Sequence, residues 1–168
     1  VYDGHNRRRF KLFPDGSYSV FFYDTAGRLL EEIYTADEVD FDVQDHVWIE
    51  GRLLARVDAT ASDDEYGDLD DTDVYYYHLD HLGAPRVMTD ASRTVVWEAD
   101  YTPYGEVDIT TETITNNVRF PGQYWDEESH NVDMRRISNN WHRNYLSNAG
   151  RYGSVDPLIV GTQSFSPR

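Results

Sequence analysis

Short β-favouring runs recur along this chain, each broken by a turn that carries glycine. Tyr2-Asp3 and then Tyr23-Asp24-Thr25-Ala26-Gly27-Arg28-Leu29 mark the period, and recurrence at about 20 residues points to stacked β units. Pro14-Asp15-Gly16 divides residues 7–13 from 17–23, Thr25-Ala26-Gly27 leads into 28–34, and Glu50-Gly51 divides 47–49 from 52–57. Asp-Gly supplies the positive φ that tight hairpin turns need. Connections this short join antiparallel neighbours and leave no room for a helical crossover. The expected fold class is therefore all-β, a meander of antiparallel strands.

Within the recurring unit each residue type has a physical task. Asp after the strand Tyr can accept hydrogen bonds from the turn's amides, and Gly frees φ. Arg then re-enters the next strand, where it can cover an aromatic ring. Tyr, Asp, Gly and Arg thus read as structural. The 13 Tyr, 7 Phe and 4 Trp fit the same reading, because aromatic side chains suit a pleated surface. At strand spacing they are core or cross-strand packing rather than a ligand-stacking platform.

Charge narrows the functions. A net charge of −16 repels nucleic-acid phosphates and anionic lipid surfaces alike, and the pair Arg135-Arg136 cannot make a nucleic-acid site by itself. The absence of cysteine excludes disulfides and thiolate metal sites. No run approaches the ~20 apolar residues that span a bilayer as a helix, and nothing resembles a signal peptide. The chain opens inside a repeat, which predicts a piece of a longer polypeptide with open sheet edges at Val1.

Residues 58–73 hold eight acidic residues and no basic one, a composition that predicts a solvated acidic surface loop. The spacing does not reproduce an EF-hand calcium loop. Strand-like stretches resume at 74–78, 86–89, 94–101 and 118–124. Residues 126–144 are polar and mixed in period, with room for a short helical turn.

Tyr75-Tyr76-Tyr77-His78-Leu79-Asp80-His81-Leu82-Gly83-Ala84-Pro85-Arg86, followed by Val87-Met88-Thr89-Asp90, resembles the opening signature of the RHS repeat-associated core. Val95-Val96-Trp97-Glu98-Ala99 with Tyr101-Thr102-Pro103-Tyr104-Gly105 is similar to the next station of that family, and Arg119-Phe120-Pro121-Gly122-Gln123-Tyr124-Trp125-Asp126 to the one after. Asn140-Trp141-His142-Arg143-Asn144-Tyr145, Gly150-Arg151-Tyr152 and Asp156-Pro157 resemble its closing motifs. The order matches, and the resemblance covers the chain to about Pro157.

The resemblance implies a strip of YD repeats forming part of a spiral β-shell, with an irregular, loop-rich C-terminal cap and a toxin polypeptide enclosed. It divides the chain into YD-repeat-like hairpins at 1–57, the acidic loop at 58–73, the core at 74–157 and a tail at 158–168. It also implies an aspartyl autoprotease built from one arginine and two aspartates, for which Arg143 and Asp156 are the matching catalytic candidates. One ionised Asp would activate water while a protonated partner donates to the scissile group. The second aspartate is not in this chain, and Ile159 with Thr162 or Gln163 stands where the family's cleavage motif has glycines. Arg143 and Asp156 therefore read first as a structural ion pair and turn.

His78, Asp80 and His81 are the alternative metal ligands, without a third partner at a recognisable spacing. A hydrogen-bonded loop between strands is the preferred reading of them. The expectation is a structural segment of a secreted or cell-surface bacterial shell that encapsulates and helps deliver a toxin, with no cofactor and no membrane-spanning segment. Its partners would be the rest of the same polypeptide, or another copy, and the C-terminal cargo. The rivals are the autoprotease itself and an adhesin-like metal-binding surface domain.

Overall fold

A computed structural model of the chain describes residues 1–5, 7–62, 70–119, 123–126, 137–140 and 143–155. Nine strands form one antiparallel sheet in strict sequential order. They are β1 (Phe10–Leu12), β2 (Tyr18–Tyr23), β3 (Leu29–Thr35), β4 (Asp40–Ile49), β5 (Arg52–Ser62), β6 (Asp70–Leu79), β7 (Pro85–Thr89), β8 (Val95–Tyr101) and β9 (Val107–Glu112). The sheet does not close on itself, so the all-β meander expected from the turn spacing is what the chain forms.

The strands reach further into the acidic stretch than its composition predicts. Asp58 belongs to β5 and pairs with Asp73 of β6, beside the pair Val57 and Val74. Residues 58–62 and 70–73 are thus strand rather than loop, and 63–69 lie outside the described residues. The apolar pairs carry the zipper past the acids, and Arg56 neutralises Asp58 with an Nη2–Oδ2 hydrogen bond of 2.7 Å. β4 likewise begins seven residues before the run 47–49 read as its arm, because Asp40, Asp42 and Gln44 find cross-strand partners in Ser62, Thr60 and Asp58. Pairing context overrides the low strand propensity of Asp.

Three hairpins at one end of the sheet carry the same irregularity, which Val96, third after positive-φ Arg93, repeats at the other. The register skips Leu30, Leu54 and Arg86, each the third residue after a positive-φ glycine, Gly27, Gly51 and Gly83. A bulge bends its strand and increases local twist. Repeated at the start of β3, β5 and β7, it bends the sheet at one end in equivalent places.

After β9 the chain leaves the sheet and crosses one of its faces. The stretch 118–124, read above as a strand, instead brings its two described ends against each other. Val118 bridges Tyr124, and the Arg119 amide donates to the Gln123 carbonyl at 3.1 Å. The turn formers Pro121 and Gly122 lie between them in sequence. Leu53, Tyr77, Met88, Val96, Trp97 and Ala99 form the core beneath this segment, joined by Ile114 and Val118.

The C-terminal part, expected as a loop-rich cap, contains a second sheet of short strands: β10 (Tyr124–Trp125), β11 (Ile137–Asn140), β12 (Arg143–Leu146) and β13 (Arg151–Tyr152). A 3-10 turn, Ser147–Ala149, ends at Gly150 in the left-handed region. The Tyr145 hydroxyl donates to the Tyr104 carbonyl at 2.9 Å and ties this sheet to the turn between β8 and β9.

Candidate functional site

Two features organise the face that the crossing segment covers and the edge beside it: a ladder of turns and a buried polar layer. The turns 24–28, 80–84 and 102–106 along that edge, and 13–17 and 90–94 at the opposite one, share one backbone pattern. In each, the first residue's amide donates to the fifth residue's carbonyl, and the fourth residue's amide donates back to the first. The fourth residue has positive φ in every case: Gly16, Gly27, Gly83, Arg93 and Gly105. Asp24, Asp80 and Asp90 accept the fifth residue's amide with Oδ1, and Thr102 does so with Oγ1. Asp3 does the same for Arg7.

The turn arginines cover rings, as their sequence positions suggest, but the rings belong to the next unit. The Arg7 guanidinium lies 5.8 Å from the Tyr23 ring centre and donates to the Asp24 carbonyl at 2.7 Å. Arg28 lies 5.8 Å from the Trp48 ring, and Arg86 6.0 Å from that of Tyr101. Each arginine therefore clips its own unit to the one that follows. At the step where Arg52 starts β5, the matching place at the end of β6 holds Leu79 instead of an aromatic residue. A cavity of about 450 Å³ opens there, lined by Trp48, Arg52, Leu53, Leu79, Arg119 and Tyr124 among others.

The crossing segment is held by polar groups that the sheet buries. Asp126 takes Arg8 through both carboxylate oxygens and Lys11 at 3.1 Å. Burial opposes its charge, but the hydrogen bonds and charge of Arg8, with Lys11, outweigh this and hold the Asp126 carboxyl below the usual range. The Tyr124 hydroxyl meets both carboxylate oxygens of Glu32 at 2.8 Å and accepts from Asn117 at 3.0 Å. Burial raises the Glu32 pKa despite that contact. Arg56, 2% exposed, donates to the Thr115 carbonyl at 2.6 Å. Tyr77 bonds Asn116 at 3.2 Å, and the Arg119 guanidinium sits between the rings of Trp97 and Trp125, at 5.2 and 5.9 Å.

His46 pairs with Arg56 across β4 and β5, so both face the crossing segment. Burial, and then the Arg56 charge, push its pKa down to about 3. The ring is neutral, and its Nδ1 has no hydrogen-bond partner among the described residues.

The residues singled out from the sequence do not converge. His78 points to the exposed side of β6, where Nε2 lies 3.1 Å from Thr89 Oγ1. Asp80 Oδ1 accepts the amides of Leu82 and Ala84 at 2.8 and 2.9 Å, which shapes the turn. His81 is exposed at the cavity rim. Among the described residues, no three His, Asp or Glu gather as a metal site. Arg143 in β12 stacks on Tyr152, 3.6 Å from the ring centre. Asp156, like Arg135-Arg136, lies outside the described residues. Arg119 and Asp126 are legible in the sequence only as parts of a family station, and Glu32, His46 and Arg56 are not legible there as site residues. Their one signal was a charged or ionisable residue in a strand interior, which is ambiguous until the covered face is known.

Fold and site define a class: an open antiparallel strip of stacked strand-turn units, clipped along one edge and covered on one face by its own chain. The family model described as RHS protein matches residues 74–110. That match, with the relatives that follow, supports an RHS-repeat protein. The chain is 35% identical over 88 residues to toxin protein Tse5 of Pseudomonas aeruginosa, covering 52% of this chain and 6% of that protein. It is 31% identical over 90 residues to double-stranded DNA deaminase toxin A of Burkholderia cenocepacia, covering 51% of this chain and again 6% of the relative. The chain thus spans a small part of the length of these relatives. In fold it is similar to a chain of the Photorhabdus luminescens Tc holotoxin pore, with a TM-score of 0.66 at 19% identity, covering 93% of this chain and 7% of that one.

Proposed function

We propose that this chain is a wall segment of an RHS shell that encloses a C-terminal toxin polypeptide and helps deliver it, within a secreted or surface-exposed protein. The observation that carries this reading is the unclosed, sequentially ordered sheet of nine strands. Such a sheet extends by adding equivalent units. Its neighbours are further strand units of the same polypeptide, or another copy, and its cargo is the toxin. Two relatives named as toxins support the link, and both extend far beyond the matched region.

The test uses the full-length polypeptide that carries this segment. Trypsin should leave the C-terminal cargo intact while the shell is folded and degrade it once Asp126→Ala has loosened the crossing segment. Equal digestion of the cargo in the native and altered polypeptides would sink the reading.

In the same reading Arg143 and Asp156 serve as a structural cation and a turn residue, in keeping with the stacking of Arg143 on Tyr152. Asp156→Asn in the full polypeptide then leaves processing unchanged on a gel. Loss of processing would assign the autoprotease instead.

A further inference from the structure

Each step of the turn ladder sets the arginine that starts one strand against a residue near the end of the next. At three steps that residue is a ring: Tyr23 for Arg7, Trp48 for Arg28 and Tyr101 for Arg86, at 5.8, 5.8 and 6.0 Å. Arg52 has Leu79 in that place, and the cavity of about 450 Å³ opens beside the pair. Arg52 is exposed, and among the described residues neither a ring nor a carboxylate lies against its guanidinium. The crossing segment supplies the facing wall through Arg119 and Gln123, which are 4% and 7% exposed. A guanidinium has five donors. Arg119 gives Nη1 to the Asn116 carbonyl, and among the described residues no carboxylate pairs with it. The Gln123 side-chain amide likewise makes no hydrogen bond among the described residues. Two other charged groups in the wall are already engaged. Arg28 pairs with Asp24, and Asp80 Oδ1 accepts the amides of Leu82 and Ala84.

We infer that this cavity is a binding site for a small aromatic carboxylate. The ligand's ring takes, over Arg52 and against Leu53 and Leu79, the place that Tyr23, Trp48 and Tyr101 hold at the other steps. Its carboxylate accepts from Arg119 and Gln123, which supplies the counter-charge that a buried guanidinium otherwise lacks. A neutral ligand would leave that charge uncompensated, and a cationic one would add to it. The volume lies within the range of small-molecule sites and suits a bicyclic ring with one acid group. The site is complete within one chain and does not depend on what the strip encloses. Its walls come from both the sheet edge and the crossing segment, so a bound ligand joins the two and stabilises the folded chain.

The probe is 2-naphthoate, titrated into the whole chain by calorimetry beside its neutral counterpart 2-naphthamide. The expected result is saturable one-to-one binding of the acid, with the amide weaker by about 10-fold or more, the worth of a hydrogen bond to a charged group. Arg52→Gln, a change at an exposed side chain, should weaken the acid by about 2- to 5-fold, the range of an exposed cation–π contact. Leu79→Tyr puts the protein's own ring in the seat and should abolish binding. Thermal unfolding of the same chains shows that each variant is folded, and 2-naphthoate should raise the midpoint of the native chain but not that of Leu79→Tyr. No saturable heat with the native chain overturns the site, and so does equal affinity in folded Leu79→Tyr, which would put the probe elsewhere. Equal affinity for acid and amide overturns the pairing of a carboxylate with Arg119, and with it the class of ligand.

Discussion

Asp126 of the crossing segment and Arg8 of the first hairpin stand 118 positions apart in sequence and form a two-point ion pair, joined by Lys11 on the same carboxylate. Both side chains are nearly buried, at 12% and 10% exposure for Arg8 and Asp126. Removing one partner from such a pair leaves an uncompensated charge, which costs about 3 kcal/mol. Asp126→Asn keeps the shape and loses the charge, so its urea midpoint should fall by an amount of that order. The Asp126 carboxyl lies below its ordinary pKa in the folded state. Its contribution is therefore complete above the unfolded value near 4 and is lost as pH falls through the folded one. In Asp126→Asn that low-pH part of the stability curve should flatten.

His46 acts at higher pH and through a different balance. Its pKa is about 3 in the folded chain against 6.5 for the free side chain, so the unfolded chain binds the proton first. Stability should drop as pH falls below about 6.5, by at most ~1.4 kcal/mol per pH unit, and the loss should level off near the folded pKa. Glu32 and Asp58 have raised pKa values, so their protonation works in the opposite direction, and comparison with His46→Leu isolates the histidine's share. Urea unfolding of His46→Leu at pH 5 and pH 7 should give a smaller difference than the native chain does; an unchanged difference would contradict the burial of a neutral ring.

The turns were legible in the sequence because their rules are local. Asp24 and Asp80 cap amides two to four residues away, and Gly27 and Gly83 occupy positions where φ is positive. The meander followed from the spacing of such turns. What stayed hidden was long-range. Whether Asp58 sits in a strand depends on Arg56 and on Val74 across the ladder. Whether Asp126 matters depends on Arg8 at the other end of the sheet. The bulges at Leu30, Leu54 and Arg86 leave no mark in residue type, yet they bend the surface on which the crossing segment rests.

Asp80 separates a turn role from a metal role. Its Oδ1 already accepts two amides, so Asp80→Ala should lower stability by about 1 kcal/mol, the net value of such hydrogen bonds. Asp80→Asn keeps an oxygen acceptor and should retain most of that stability. Addition of zinc should shift the unfolding midpoint of none of the three chains; a midpoint raised in the native chain alone would assign the ligand role instead.

Leu79 marks the one step of the ladder where the arginine at the start of a strand, Arg52, meets an aliphatic side chain, and the cavity beside it is about 450 Å³. At the neighbouring step Arg28 faces Trp48. Leu79→Tyr should place a ring against Arg52 and fill part of that space, adding apolar burial and a cation–π contact worth about 0.5–1 kcal/mol at a partly exposed site. Leu79→Ala should do the reverse and lose about 2 kcal/mol or more, since Leu79 also packs against the core of Leu53 and Tyr77. Thermal unfolding of the two variants would give midpoints on opposite sides of the native value. Coupling Leu79→Tyr with Arg52→Gln then isolates the ring contact: the stabilisation should shrink when Arg52 is gone, whereas an undiminished gain would trace it to cavity filling alone.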